Sequence, residues 1–195
     1  MKLLPIAGSP RAGGNSQRLL EAAVEGAAAA GAEVLPALRP AGLRLAACRG
    51  CDRCQREGAC VLHDEGPAAL ARLLEADAIL LSAPIYFSGL PAQLKALVDR
   101  SQALWWRGEL ARRAGTPPAR RRRGYLLLCA ATDRPRVFDG ARETGRAFFY
   151  ALDGRLRGEL LVPGVDEAGA VLRQPEALAR ARALGRAIAL DEATS

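Results

Sequence analysis

The sequence predicts an α/β fold: a doubly wound sheet of five parallel strands, order 2-1-3-4-5, with a Cys-rich insertion after the second strand. Three observations lead there. Short apolar runs alternate with longer stretches of helical periodicity, the pattern of repeated strand–helix–strand crossovers. The clearest runs, Ile79-Leu80-Leu81 and Tyr125-Leu126-Leu127-Leu128, are continuous rather than alternating, as in strands buried on both faces. The chain has 195 residues, 50% hydrophobic and 25% charged, which suits one domain over 1–195 that needs no disulfide or metal to fold.

The expected strands are Leu3–Ala7, Glu33–Leu38, Ala78–Ala83, Gly124–Ala130 and Gly158–Pro163. The first helix, Ser16–Ala30, places Leu20, Val24 and Ala27 on one face and stops at Gly31. Pro67–Ala76 and Pro91–Leu104 each open on a proline, which is pre-organised for a first helical turn. In the second of these, Leu94, Leu97, Val98 and Ser101 share a face. Ala141–Leu152 and Pro175–Leu190 complete the set. The alternation breaks once, between Arg39 and Glu65, and that insertion (39–65) carries four of the five cysteines. In such a sheet a ligand sits beyond the carboxyl ends of the strands, where strands 1 and 3 part company.

Composition excludes several function classes. The net charge is +7, but only Lys2 and Lys95 among the 28 basic residues are lysines, so arginine abundance is general and marks no particular face. The one dense run, Arg120 to Arg123, lies in a Pro/Gly-flanked stretch, Thr116–Gly124, without interleaved aromatics. It reads as a solvated loop, and no nucleic-acid partner is expected. A single histidine, His63, has no nucleophile motif beside it, which argues against a Ser-His-Asp triad or a His-rich zinc site. If the chain is an enzyme, a cofactor carries the hard chemistry. No apolar run approaches the ~20 residues of a membrane span, and the short apolar N-terminus is not followed by a cleavage site. The expectation is a soluble, cytoplasmic protein with no membrane partner.

Two loops carry the chemistry. Gly8-Ser9-Pro10-Arg11-Ala12-Gly13-Gly14-Asn15-Ser16 joins the first strand to the first helix, where backbone N–H groups and the helix dipole favour an anion. Ser9, Asn15 and Ser16 offer side-chain donors, Arg11 offers charge, and Gly14 permits close approach. The loop is neither GxGxxG nor a Walker loop, so a phosphate that is held rather than transferred fits it. Ala83-Pro84-Ile85-Tyr86-Phe87-Ser88-Gly89-Leu90-Pro91 follows the third strand in a chain only 5% aromatic. Tyr86 and Phe87 suit a planar ring, with backbone amides along its edge. Together the loops suggest a mononucleotide with a large flat ring.

At this point the residues meet a known pattern. Gly8-Ser9-Pro10-Arg11, Gly14-Asn15-Ser16, Ser82-Ala83-Pro84-Ile85-Tyr86-Phe87, Leu94-Lys95 and Asp99-Arg100 together resemble the NADPH-dependent FMN reductases of the flavodoxin-like class, from the first residue to about Arg100. The resemblance implies FMN, its phosphate held by Ser9, Arg11, Asn15 and Ser16 and its ring and ribityl chain along Pro84, Ile85, Tyr86, Phe87, Ser88 and Gly89. It implies NAD(P)H as co-substrate, a small electron acceptor, and a homodimer or homotetramer. Lys95 and Asp99-Arg100 match a recurring part of the pattern, with a structural role in tying the third helix to the sheet or to a partner subunit. The fourth strand ends in Cys129-Ala130-Ala131-Thr132-Asp133, where relatives carry a Gly-containing loop.

Cys48-x2-Cys51-x2-Cys54-x5-Cys60 sets four cysteines in thirteen residues. In a cytoplasmic protein such clustering points to metal or redox chemistry. The spacing is like the C-x2-C-x2-C runs that bind cubane clusters. Cys-rich zinc with His63, a thiol redox site and a compact turn are the other readings. Within the resembled class the motif is similar to that of iron–sulfur flavoproteins, which implies a [4Fe–4S] cluster exchanging single electrons with FMN and a redox protein as partner. Cys129 lies in a strand pattern and reads as core. Trp105 and Trp106 read as interface anchors, flavin shields or core caps, Thr116–Arg123 as a mobile loop near them, and the tail beyond Leu190 as frayed.

The leading functional expectation is an FMN-dependent oxidoreductase taking hydride from NAD(P)H and reducing a flavin, quinone or other small acceptor. The second is an iron–sulfur flavoprotein relaying electrons between proteins. The third is a non-catalytic flavin- or anion-binding module.

Overall fold

The structure is a computed structural model that describes residues 1–117 and 121–192. Its five strands are β1 (Lys2–Ala7), β2 (Glu33–Val34), β3 (Ala78–Pro84), β4 (Arg122–Cys129) and β5 (Gly154–Val162). The helices are α1 (Asn15–Ala29), α2 (Cys54–Glu57), α3 (Gly66–Glu75), α4 (Ala92–Arg100), α5 (Gln102–Arg113), α6 (Asp139–Ala151) and α7 (Pro175–Leu190), with 3-10 turns at Pro40–Gly42 and Ala170–Arg173. All strand pairs are parallel and the order is β2-β1-β3-β4-β5, as expected from the alternation.

Successive residues of the central strands point to opposite faces, and both faces are covered. Leu3, Leu80, Tyr125, Leu127 and Leu160 pack under α1 and α7. Leu4, Ile6, Ile79, Leu81, Leu126 and Leu128 pack on the other side with Leu73, Leu94, Leu97 and Phe148 of α3, α4 and α6. That double burial is why these strands read as unbroken apolar runs. Leu19 and Ala23 join the buried face of α1, widening the stripe that Leu20 and Ala27 announce, whereas Val24 is only half-buried.

The helices α1 and α7 touch backbone to backbone through glycine. A Cβ on Gly26 would lie 2.1 Å from the Arg182 carbonyl oxygen, and one on Gly185 would lie 1.8 Å from that of Ala23. Neither glycine is a turn residue. Each is there because nothing larger fits.

Several boundaries differ from expectation for identifiable reasons. The β2 ladder ends at Val34, because Pro36 has no N–H to donate; pairing resumes at Leu38, which bridges Ile6. β5 starts four residues early, at Gly154, with Arg155 exposed and Arg157 likewise, the alternation of an edge strand. The expected helix Pro91–Leu104 breaks at Ser101, whose hydroxyl donates to the Val98 carbonyl at 2.6 Å, and α5 continues to Arg113. No glycine or proline marks that break.

The Arg120–Arg123 run is not simply a solvated loop. Arg120 lies outside the described residues and Arg121 is exposed, but Arg122 opens β4 and is buried. Its guanidinium donates to the carbonyls of Leu73 (3.1 Å), Leu74 (2.8 Å) and Leu152 (3.1 Å), so it closes the carbonyl ends of α3 and α6. Arg123, also in β4, is ion-paired with Asp191, just past α7. The expectation of a mobile Thr116–Arg123 loop therefore fails for Arg122 and Arg123, and its 118–120 part lies outside the described residues. So does 193–195 of the expected frayed tail, while Glu192 still donates to the Ala187 carbonyl. Trp105 and Trp106 are half-buried on α5, edge to face with centroids 4.7 Å apart, and Arg113 lies over Trp106.

The α1–α7 contact gives a direct test. Gly185→Val should lower stability by about 2–3 kcal/mol through overpacking, read as a lower urea midpoint with an unchanged slope.

Candidate functional site

The first loop is built as the sequence suggests, but its side chains divide the work differently. Gly8 N–H donates to the Ser82 carbonyl at 2.8 Å, and the Ser82 hydroxyl donates to the Ser16 carbonyl at 2.8 Å. These bonds bring the end of β1, the end of β3 and the start of α1 together. The Ser9 hydroxyl accepts from Arg11 N–H at 3.1 Å and Gln17 Oε1 accepts from Gly13 N–H at 2.9 Å, which sets the loop's curve. α1 itself follows Gly14 at its N-cap, with no side-chain cap and no acidic residue in its first turn. Its positive end and first N–H groups are left to an external anion.

Ser9, Arg11, Gly14, Asn15, Ser16, Pro84, Ile85 and Tyr86 line one cleft with Cys129, Ala131, Val165, Asp166 and Ala168. Sequence reasoning placed a wall at the end of β4 but missed Val165, Asp166 and Ala168. The loop after β5 is a carboxyl-end loop like the other two, and Pro163-Gly164 was the available signal. Cys129 and Ala131 supply the wall where a Gly-containing loop was expected.

Asn15 corrects an expectation. Its side-chain amide donates to the carbonyls of Val165 (3.1 Å) and Glu167 (2.8 Å), and its oxygen accepts from Val171 N–H (3.2 Å). The buried side chain clamps the loop after β5 onto the anion loop, so only its backbone N–H is left to serve a phosphate.

The second loop forms a tight turn. Tyr86 and Gly89 exchange backbone hydrogen bonds at 3.0 and 2.9 Å, and Ile85 N–H donates to the Cys129 carbonyl at 2.8 Å. These amides are satisfied inside the protein and do not serve a ring edge. Phe87 (φ 49°) and Ser88 (φ 61°) are both left-handed, as in a I′ turn, without glycine or asparagine. Each costs about 1–2 kcal/mol of backbone strain. Phe87 is fully exposed, and Phe87, Ser88 and Gly89 lie outside the cleft lining. The cleft thus holds eight of the eleven expected residues.

Cys129 is core, as expected. Burial pushes its thiol up to about 12, and its contact with Ser16 only moderates this.

The insertion forms a second pocket. It leaves β2 and enters α3, both at the carboxyl side of the sheet, so topology puts it at the same end as the cleft. Cys48, Cys51, Cys54 and Cys60 all line it, with Arg49, Gly50, Asp52, Val61, Leu62, Asp99, Arg100, Gln102 and Ala103. Cys48 and Cys51 are exposed and Cys54 and Cys60 half-buried. Burial pushes the Cys54 thiol up, and the nearby thiols of Cys60, Cys48 and Cys51 push the same way. Among the described residues no three His, Cys, Asp or Glu side chains are gathered closely enough to hold a single metal ion as they stand. A cubane instead takes one thiolate at each of four irons, which asks for thiols around a pocket. The residues fit that demand. His63 lines neither pocket.

Arg100 closes this pocket. Its side chain has no exposure, and it donates to Asp64 through two nitrogens (2.9 and 3.0 Å) and to the Ala46 carbonyl (3.0 Å). It ties α4 to the insertion, not to the sheet. Lys95 and Asp99 make an exposed pair one turn apart (2.7 Å). Hydrogen bonding from Arg100 holds the Asp64 carboxyl well below the usual carboxylate range, and the N–H groups of Ala46 and Gly66 add to it.

Residues 1–131 match the NADPH-dependent FMN reductase family. The chain belongs to that family. Among its relatives, an iron–sulfur flavoprotein of Methanocaldococcus jannaschii is 41% identical over 104 residues, 53% of this chain and 53% of that protein. One of Methanosarcina thermophila is 38% identical over 104 residues, 53% and 54% of the two chains. The chain spans about half the length of these curated relatives. By structure, a flavone reductase superposes with a TM-score of 0.72 at 22% identity, covering 97% of this chain and 62% of the other. An NAD(P)H:quinone oxidoreductase from Methanothermobacter marburgensis gives 0.65 at 19% identity, covering 96% and 95%. Those two likenesses are of fold. With them, the flavodoxin-like architecture stands.

Two outcomes follow from the side chains. Asn15→Ala should cost about 2 kcal/mol, because it leaves the buried Val165 carbonyl and Val171 N–H without a partner, and should be read from the urea midpoint. In the folded protein at pH 8, a thiol reagent should label Cys48 and Cys51 quickly. Cys129 should label only after unfolding, since burial, which pushes its thiol up to about 12, keeps it protonated at pH 8.

Proposed function

We propose that this chain is an FMN-dependent oxidoreductase that takes hydride from NAD(P)H and reduces a flavin, quinone or other small acceptor. The observation that carries the reading is the cleft at the carboxyl ends of β1 and β3, where the uncapped start of α1 meets Pro84–Tyr86. FMN bound there would supply both two-electron and one-electron chemistry. The first N–H groups of α1, with Ser9 and Arg11, would hold its phosphate. Asn15 would fix the loop after β5 that walls the site. Pro84, Ile85 and Tyr86 would position the ring, and the satisfied amides of the turn keep that wall rigid. None of these roles needs a protein general base, which suits a chain with one histidine.

A second reading is favoured by the four-cysteine pocket: an iron–sulfur flavoprotein that relays electrons between a redox protein and FMN. Cys48, Cys51, Cys54 and Cys60 would hold a [4Fe–4S] cluster, which would supply one-electron transfer. The names of the relatives and the common end of the sheet support it. Five unbridged cysteines suit a reducing, cytoplasmic compartment, and a homo-oligomer is the expected assembly. Among the described residues no helix is long and apolar enough to cross a membrane.

Absorption spectra of anaerobically purified protein, with iron and sulfide assays, test both readings. Flavin bands bleached by NAD(P)H are expected, and iron near four per chain would add the cluster. Arg11→Ala should weaken FMN binding about tenfold at unchanged fold, the loss of one charge-assisted phosphate contact. No flavin after incubation with FMN would overturn the proposal.

A further inference from the structure

Arg100 is placed more elaborately than a helix tie requires. A guanidinium carries five N–H donors. Three of Arg100's are spent on Asp64 and Ala46, all on its two terminal nitrogens. Asp64 therefore grips the group end-on and leaves the Nε edge open. Nε is buried with no hydrogen-bond partner. An orphaned, buried donor on a charged group is costly unless something meets it. The surroundings show what could. Arg100 lines the same pocket as all four cysteines, and Cys60 lies close enough to interact with it. Gly66 leaves room for the arrangement, since a Cβ there would sit 2.3 Å from the guanidinium.

We propose that Arg100 is the positioning residue of the cysteine pocket, its Nε–H aimed at a cluster thiolate and its fixed charge setting the cluster's reduction potential. The inference rests on the iron–sulfur reading above. Four thiolates give the site net negative charge, and adding an electron makes it more negative. A buried cation beside it favours the reduced state, because the interaction is weakly screened there. Asp64 balances the guanidinium in the absence of the electron and anchors it from the far end. Arginine serves where lysine would not. One ammonium could not hold Asp64 through two parallel bonds and still present a donor along its side.

The test is a redox titration of reconstituted, FMN-loaded protein, with iron and sulfide counted and the FMN potential as internal reference. Arg100→Gln should bind FMN normally yet show at least a tenfold smaller equilibrium constant for cluster reduction, a fall of about 59 mV. Arg100→Lys, which keeps the charge, should recover part of that loss. Asp64→Asn removes the negative partner and should move the potential upward; it also decides the matter if Arg100→Gln does not fold. Cluster potentials unchanged in the folded variants would overturn the proposal and leave Arg100 a structural tie. Wild-type protein that binds FMN but takes up no iron or sulfide would overturn the iron–sulfur reading itself, and the proposal with it.

Discussion

One ion pair, Arg100 with Asp64, anchors the wall of the cysteine pocket. The 39–65 segment has little regular structure, with one four-residue helix and one 3-10 turn. Leu43, Leu45, Cys54 and Cys60 pack it on the core, and a small polar node fixes its course. Asp64 accepts from Ala46 N–H and Gly66 N–H as well as from Arg100, and Glu65 pairs through its backbone and side chain with Arg44. A buried pair of this kind adds little net stability over an apolar packing, since both partners lose hydration. Breaking it is another matter, because the remaining charge is stranded. The pair is therefore best understood as a device of placement. It decides where the loop lies, and with it where the thiols lie.

The same logic runs through the cleft. Its walls come from the ends of four strands, β1, β3, β4 and β5, which share no sequence proximity, and they are held by bonds to one another. The start of α1 is tied to β3 by Ser82 and to the loop after β5 by Asn15, and Ile85 is tied to Cys129 at the end of β4. What remains uncommitted is the positive end of α1. The Tyr86–Gly89 turn stores backbone strain at Phe87 and Ser88, and a Cβ on Gly140 would lie 2.5 Å from the Ser88 carbonyl oxygen, so the turn is braced against the start of α6. Strain persists where surrounding structure over-determines it, and it clusters at functional sites.

The fold was legible because its signals are local or periodic. Double burial leaves unbroken apolar runs, and the right-handed crossover rule turns their alternation with helices into a topology. The four-cysteine spacing and the anion loop were legible for the same reason: each is one short segment. Arg122 and Asn15 were not. Both look like surface or ligand residues in sequence, since charge and amide types favour solvent or substrate. Each is instead spent on backbone groups distant in the chain, Leu73, Leu74 and Leu152 for one and Val165, Glu167 and Val171 for the other. The break at Ser101 left no trace either, because a hydroxyl bonding back to a carbonyl needs no special residue.

By itself the sequence determined the sheet order, the faces of the central strands, the anion-ready loop, the membership of the cysteine cluster and the core place of Cys129. These depend on spacing along the chain or on burial that composition records. Only the tertiary structure decided that Asn15 is a clamp, that Phe87 stands free in solvent, that the loop after β5 completes the cleft, and that Arg100 closes the cysteine pocket with its Nε donor unspent. Those facts turn on which polar groups meet across long separations. Hydrogen-bond partners are chosen by geometry in space, and residue type states only what a group can donate or accept.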